Sequence, residues 1–265
     1  MRTLVMGILN VTPDSFADGG KHFTTESALS RAKGMIEEGV DIIDIGGEST
    51  KPGSDRITEI EEEQRVIPVL EKVIPLGVEV SIDTTRSSIA AKAIKLGVKY
   101  VNDVSGGLAD KEMYSLIAKH PKVQYVIMHW RGHSKAMQEL ATYKDVVKEV
   151  KEELEERISS AIEAGVDPEQ IIIDPGIGFS KTSEHNWELL KNLDRLSLLG
   201  YPILIGASRK RFLGELIEGT NPDDREAATL AITAAMAKQG IWGVRTHSVK
   251  PHRDVIATIN SLGKR

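Results

Sequence analysis

The sequence has no cysteine among its 265 residues. That excludes a disulfide framework, a thiolate metal site, a cysteine nucleophile and an iron–sulfur cluster, and it leaves the compartment unfixed by redox chemistry. Positive charge is not in excess either: 34 Lys and Arg stand against 39 Asp and Glu, a formal net charge of −5. With no long Lys/Arg run, no nucleic-acid partner is expected. No apolar stretch approaches the roughly 20 residues a membrane helix needs. The N-terminal apolar run stops at Asn10 with no cleavage-site pattern behind it, so it reads as a strand rather than a signal peptide, and a cytoplasmic location is expected. HExxH, the GxSxG elbow and the Walker loop are also missing.

What is present is a recurrent pattern. Hydrophobic residues make up 40% of the chain, and a chain of about this size buries roughly 70–75% of its unfolded surface. Eight short runs rich in Val and Ile stand out: Leu4 to Leu9, Asp41 to Gly46, Val78 to Asp83, Tyr100 to Val104, Val123 to His129, Ile171 to Asp174, Ile203 to Ala207 and Ile241 to His247. Amphipathic stretches lie between them and close at Gly39, Gly97, Gly165 and Gly240, where glycine supplies a left-handed C-terminal cap. Those stretches are Thr25 to Glu38, Ser87 to Leu96, Tyr143 to Ala164 and Ala227 to Gln239, the first with Thr24 or Thr25 as N-cap. Nearly continuous apolar strands covered by helices indicate a parallel sheet buried on both faces. Eight such units fit a single (β/α)8 barrel over residues 1–265, since about 250 residues is typical of that fold. An open doubly wound sheet is the alternative, but residues 7–13 lack the glycine spacing of its dinucleotide turn. The longest irregular stretches, Val11 to Phe23 and Glu48 to Asp55, follow strands one and two and would be active-site loops.

In a barrel, the residues just past each strand converge on one face. Here they are Asn10, Asp44 and Glu48, Asp83, Asn102 and Asp103, His129, Asp174, Ser208 to Lys210, and Arg245 with His247. A core gains nothing from charge at those places. Each residue also has a plainer reading. Asp83 suits a helix N-cap, Asn102 and Asp103 suit turn bonds, His22, His120 and His129 suit packing, and Glu59 to Glu63 suit a solvated helix face. Three clusters resist that treatment. Asp174 to Phe179 puts a carboxylate at a strand end before a rigid Pro turn and two glycines that permit close backbone approach. Ser208 to Arg211 carries three consecutive cations where barrels commonly hold phosphate. Arg245 and His247 share one side of strand eight by alternation. Together they describe a site for a phosphorylated or diphosphorylated compound with a hydrogen-bonding heterocyclic head.

Eight strings then carry a resemblance that runs through the chain: GILNVTPDSFADGG (Gly7 to Gly20), GGESTKPG (Gly46 to Gly53), SIDT (Ser81 to Thr84), NDVSGG (Asn102 to Gly107), IMHWRGHSKAMQ (Ile127 to Gln138), DPGIGF (Asp174 to Phe179), GASRKRFLG (Gly206 to Gly214) and VRTHSV (Val244 to Val249). In order and content they resemble the dihydropteroate synthase family. The resemblance implies a (β/α)8 barrel that joins 4-aminobenzoate to 7,8-dihydropterin-6-ylmethyl diphosphate, giving 7,8-dihydropteroate and diphosphate. It also implies that Asp83, Asn102, Asp174 and Lys210 hold the pterin, with Arg245 stacked across its face. By the same likeness Asn10, Arg245 and His247, helped by Thr50 and Lys51, take the diphosphate with Mg²⁺, for which Asn10 is the candidate ligand. The aminobenzoate would lie among Thr12, Pro13, Phe16, Thr50, Pro52, Ser208 and Lys210. Asp14 is the candidate for stabilising a developing cation and ordering the first loop, with Lys210, Arg245 and His247 as the other catalytic residues. A homodimer is implied as well, with Ala227 to Ala237 and Val255 to Leu262 as candidate interface helices.

Four positions depart from the family's common pattern. Ser248 stands where an acid usually follows the histidine, Lys51 replaces an arginine, Ala17 replaces a serine, and the HWRGHS loop lacks a Thr-Pro. Lys51 keeps its charge but loses a bidentate fork. Two rival readings remain open on the sequence: a pterin-dependent methyltransferase on the same barrel, acting with a corrinoid partner, and a non-catalytic paralogue.

Overall fold

In a computed structural model of the chain, residues 2–12, 25–49, 55–132, 139–217 and 221–263 are described. They form eight strands: β1 (Leu4–Asn10), β2 (Ile42–Gly46), β3 (Glu79–Asp83), β4 (Tyr100–Asp103), β5 (Gln124–Met128), β6 (Ile171–Asp174), β7 (Leu204–Ile205) and β8 (Gly243–Thr246). The helices are α1 (Thr25–Glu37), α2 (Glu59–Val73), α3 (Ser87–Leu96), α4 (Met113–Ala118), α5 (Val146–Glu163), α6 (Ser183–Lys191), α7 (Leu193–Ser197), α8 (Arg211–Ile217), α9 (Glu226–Gln239) and α10 (Lys250–Leu262). All strand pairs are parallel, in the order β6-β5-β4-β3-β2-β1-β8-β7, and a parallel bridge from Ile173 to Ile203 closes the ring between β6 and β7. This is the expected (β/α)8 barrel.

The barrel follows from side-chain alternation. In β1, Val5 and Leu9 face outward into a large cluster with Ala28, Ala32 and Met35 of α1. Met6 instead joins Ile42, Tyr100, Val126, Ile172 and Leu204 in a separate cluster that fills the barrel interior. Strand side chains repeat with a period of two. The residues two steps beyond this apolar floor therefore face the same lumen: Ile8, Asp44, Asn102, Met128, Asp174 and Gly206, with Asp83 in register with Asn102 and Arg245 in register with Met6 of the floor. An apolar layer below and a polar layer above is the arrangement that places a site at the C-terminal mouth.

Element ends differ in detail from the sequence reading. α5 starts at Val146 rather than Tyr143, because the Asp145 side chain caps it by accepting from the Lys148 N–H at 3.0 Å. β7 and β8 are shorter than their apolar runs; the His247 N–H bonds the Ser208 hydroxyl at 3.2 Å instead of a sheet neighbour. Glycines with left-handed backbone do follow α3 and α9 at Gly97 and Gly240. One expectation fails. Glu62 is not on a solvated face: it shares the buried side of α2 with Val66, Val69, Leu70 and Val73, is 1% exposed, and pairs with Arg86. Burial is repaid there by a guanidinium and not by water. Asp83 likewise does not cap α3, whose N-cap residue is Arg86.

Ile172 sits in the barrel interior at 1% exposure. Ile172→Ala is expected to lower the unfolding free energy by about 2–5 kcal/mol, measured by urea denaturation, while the far-ultraviolet circular dichroism stays unchanged.

Candidate active site

The polar layer is organised around Arg245. Its Nε donates to Asp44 Oδ2 at 2.6 Å and its Nη2 to Asp83 Oδ2 at 2.7 Å. Asp44 Oδ2 also accepts from Asn102 Nδ2 at 3.0 Å, while buried Asp44 Oδ1 has no partner. Four strand ends are thereby joined: β2, β3, β4 and β8. Burial pushes Asp83 up and the carboxylates of Asp44, Glu62 and Asp103 push the same way, against the pull of Arg245.

Asp174 ends β6, and its Oδ1 accepts from the Gly176 N–H at 2.7 Å. Its Oδ2 lies 3.7 Å from the point where a Cβ on Gly206 would stand, and Lys210 Nζ lies 3.8 Å from the same point. A carboxylate and an ammonium therefore face each other across the bare backbone of Gly206. Lys210 donates to the Ile177 carbonyl, and its Nζ lies 4.7 Å from the centroid of the Phe179 ring. Burial lowers Lys210 to about 8, opposed by Asp174 and reinforced by Arg245. Burial pushes Asp174 up against the pull of Lys210.

The glycines of the β6 loop are required by space as well as by angle. Gly176 has φ +68°, and a Cβ there would stand 2.2 Å from the His129 carbonyl oxygen; Gly178 has φ +83° and packs against the Lys210 stem. Beneath this loop is a network that sequence reasoning missed. Lys181 Nζ donates to His129 Nδ1 at 2.9 Å and to the Phe179 carbonyl at 3.0 Å, and His129 Nε2 meets Glu153 Oε2 at 3.1 Å. Burial lowers His129 to about 3, with Lys181 next in effect, so the ring is neutral. His129 is thus a support for the loop, and Arg131 and Arg157 complete the pairing of Glu153.

At the far side of the mouth, Ser208 Oγ lies 3.0 Å from His247 Nδ1. The same oxygen accepts the His247 backbone N–H. Burial, then Arg245 and Arg209, lower His247 to about 3. The ring is neutral, the hydroxyl donates to Nδ1, and the ring proton sits on Nε2. Arg245 and His247 therefore serve different ends of the site: Arg245 the carboxylates of the lumen, His247 the β7 end.

Of the residues expected from sequence, Asp83, Asn102, Asp174, Lys210 and Arg245 stand together in the lumen, and Ser208 with His247 beside it. Asn10 ends β1 and is half-buried, and Thr12 is buried two residues on. Pro13, Asp14, Phe16, Thr50, Lys51 and Pro52 lie outside the described residues, as do most of the two loops expected to close the site. Asp103 does make the plain turn bonds, accepting from the Ser105 and Gly107 N–H groups and from Tyr125 Oη. Asp44 was visible as a strand-end acid, but only its partners reveal its role. Among the described residues no cluster of three or more His, Asp or Glu could hold a metal, and no helix is long and apolar enough to cross a membrane.

A lumen of paired carboxylates and cations at the C-terminal ends of the strands is the site of a barrel enzyme. The family model described as "Pterin binding enzyme" matches residues 6–247, and the chain belongs to that family. Within it the chain stands among the dihydropteroate synthases. The Mycobacterium leprae dihydropteroate synthase is 46% identical over 263 residues, covering 97% of this chain and 92% of that one. The Xanthomonas albilineans dihydropteroate synthase solved with 4-aminobenzoic acid superposes with a TM-score of 0.93 at 39% identity, covering 100% of this chain and 94% of that one. A second structure of the Xanthomonas albilineans enzyme, in complex with 7,8-dihydropteroate, gives a TM-score of 0.90 at 37% identity, covering 100% and 95%. These relatives are dihydropteroate synthases and not methyltransferases, which weighs against the methyltransferase reading.

Gly176→Ala should destabilise the protein by more than Gly200→Ala. Both positions have positive φ, but a Cβ on Gly200 meets nothing within 4 Å. The control then costs about 1–2 kcal/mol for its backbone alone, while the Gly176 variant also forces the His129 carbonyl aside. Parallel urea titrations measure the difference.

Proposed function

We propose that this chain joins 4-aminobenzoate to 7,8-dihydropterin-6-ylmethyl diphosphate, forming 7,8-dihydropteroate and diphosphate by way of a cation-like transition state. The observation that carries the assignment of roles is the facing pair of Asp174 and Lys210 across Gly206, with Asp83, Asn102 and Arg245 alongside. A buried carboxylate, pushed above its usual range by burial, is poised to accept two parallel N–H bonds from an aminopyrimidine edge, which favour its charged form. Asp174 takes that role, Asp83 and Asn102 meet the other polar atoms of the ring, and Lys210 donates to its carbonyl side. Guanidinium N–H groups lie in the guanidinium plane, so Asp44 and Asp83 engage Arg245 by its edge and leave its faces for stacking on the pterin.

The carbon–oxygen bond to diphosphate breaks with its electron pair on the leaving oxygen, and positive charge spreads into the dihydropterin. The aminobenzoate nitrogen then supplies the pair for the new carbon–nitrogen bond and loses a proton to solvent. Neutral His247 donates from Nε2 to the departing diphosphate, with Arg245, Thr50 and Lys51 as further partners and Asp14 facing the developing cation. Thr12, Pro13, Phe16, Thr50, Pro52, Ser208 and Lys210 border the aminobenzoate. Mg²⁺ is commonly held by one or two protein oxygens together with substrate phosphates and waters. The amide oxygen of Asn10, at the end of β1, fits that mode as one protein oxygen. Mg²⁺ bound there would neutralise charge on the diphosphate. We further propose a cytoplasmic homodimer built on α9 and α10, supported by the exposed Ala227, Ala231 and Ala235 along one side of α9.

With Mg²⁺ and both substrates, dihydropteroate and diphosphate should appear in equal amounts. Asp174→Ala should lower the rate by about a hundredfold or more, because it strips Lys210 of its buried counter-charge. Diphosphate release without dihydropteroate, or no release at all, would overturn the reading. Lys210 is protonated below about pH 8 and neutral above it. The KM for anionic 4-aminobenzoate should therefore rise as pH passes 8, and Lys210→Arg, which keeps its charge, should lack that rise.

A further inference from the structure

Among the described residues, Arg209 and Ser248 bond neither to each other nor to the lumen residues, yet each adjoins a residue of the site: Arg209 lies between Ser208 and Lys210, and Ser248 follows His247. One side chain joins them. Glu226, the first residue of α9, accepts from the Ser248 hydroxyl on Oε1 and from Arg209 Nε on Oε2 at 2.9 Å. His252 of α10, fully buried and bonded by Nδ1 to Thr233 at 2.8 Å, brings its Nε2 to 3.5 Å from the same Oε1. Arg209 has a left-handed backbone, φ +57°, an uncommon conformation for a non-glycine residue. It is held there by bonds that all run to α9 or the turn before it: its N–H to Thr229 Oγ1 at 3.1 Å, its carbonyl from Arg225 at 3.0 Å, and its guanidinium to Asp223 and Glu226. The ends of β7 and β8 are thus tied to one carboxylate.

We propose that Glu226 is a positioning residue: by clamping Arg209 and Ser248 it sets Ser208 and His247 in the geometry that receives the diphosphate. This rests on the reading of the β7–β8 end as the diphosphate side of the site. The clamp also gives Ser248 a reason. A carboxylate at position 248 would stand against Glu226, whereas a hydroxyl donates to it, so the acid sits on α9 and the donor sits on β8's extension. Against burial, which would raise it, the Ser248 hydroxyl and Arg209 hold the Glu226 carboxyl below its usual range, so it carries its charge at neutral pH. The pterin side is fixed by other contacts: Asp83, Asn102 and Asp174 belong to other strands, Lys210 is held by the Ile177 carbonyl, and Arg245 by Asp44 and Asp83.

The test titrates inorganic diphosphate with Mg²⁺, and separately a 6-hydroxymethyl dihydropterin, into the wild-type chain, Glu226→Gln, Ser248→Ala, Ser248→Asp and the double variant Glu226→Gln/Ser248→Asp. Glu226→Gln is expected to weaken diphosphate binding about tenfold and leave the pterin titration within twofold. Ser248→Ala, which keeps the Arg209 pair, loses a smaller factor. Ser248→Asp alone weakens diphosphate by like-charge contact, and adding Glu226→Gln to it restores affinity to within about threefold of wild type. Unchanged diphosphate affinity in Glu226→Gln, a parallel loss of pterin binding, or failure of the double variant to recover would each overturn the proposal. The titrations need no turnover, so a wild-type chain that binds diphosphate but forms no dihydropteroate would count against the proposed reaction while the same data still decide the role of Glu226.

Discussion

The pairing of Arg245 with Asp44 and Asp83 is the interaction on which the mouth of the barrel depends. Three of these four strand ends carry acids or amides into a lumen floored by Met6, Ile42, Tyr100, Val126, Ile172 and Leu204. Charged groups above such a floor are far from bulk water, and uncompensated they would be too costly to keep. The guanidinium supplies the compensation from β8, joining residues 201 and 162 positions apart in sequence. Buried pairs of this kind contribute little net stability compared with a well-packed apolar replacement. Their retention in a lumen with an unpartnered Asp44 oxygen is therefore better explained by binding than by folding.

The same economy governs the β6 loop. Asp174 is held at its place by a Gly176 N–H, and the loop that follows lies on buried Lys181, which donates to neutral His129 and to the Phe179 carbonyl, while His129 in turn meets Glu153. Burial drives Lys181 well below its ordinary value. The lumen residues Asp83, Asn102, Asp174 and Arg245 are thereby carried on strands, and Asp174 has its following loop fixed from behind, the rigid support on which a precise site is built.

The barrel was legible in the sequence because strands buried on both faces leave unbroken Val and Ile runs, and because each run ends in a polar residue that a core would not tolerate. Asp174, Lys210, Arg245 and His247 could be read from those endings. The partnerships could not. Alternation says that Arg245 faces the lumen, but closure of the ring decides that it meets Asp44 and Asp83. Glu62 was misread since five residues from 59 to 63 are nearly all acidic, and only the helical period, anchored by Val66, Val69 and Val73, reveals which one turns inward. Lys181 and Glu226 carried no local signal at all: one follows a glycine loop, the other opens a helix, and their functions arise from contacts 52 and 22 residues away.

These placements give the site an electrical direction. The lumen side, with Asp44, Asp83 and Asp174 against Arg245 and Lys210, holds more carboxylates than cations among the described residues. The β7–β8 side presents a neutral His247 with a proton on Nε2 and the Ser208 hydroxyl. A bond lying between the two and breaking with its electron pair toward β7 and β8 leaves positive charge over the acids and negative charge among the donors. Both fragments are then stabilised by groups already oriented before reaction, and no reorganisation is needed as charge develops. Neutral His247 suits this as a donor, because its hydrogen bond strengthens as charge grows on a departing oxygen, which favours the transition state over the bound substrate.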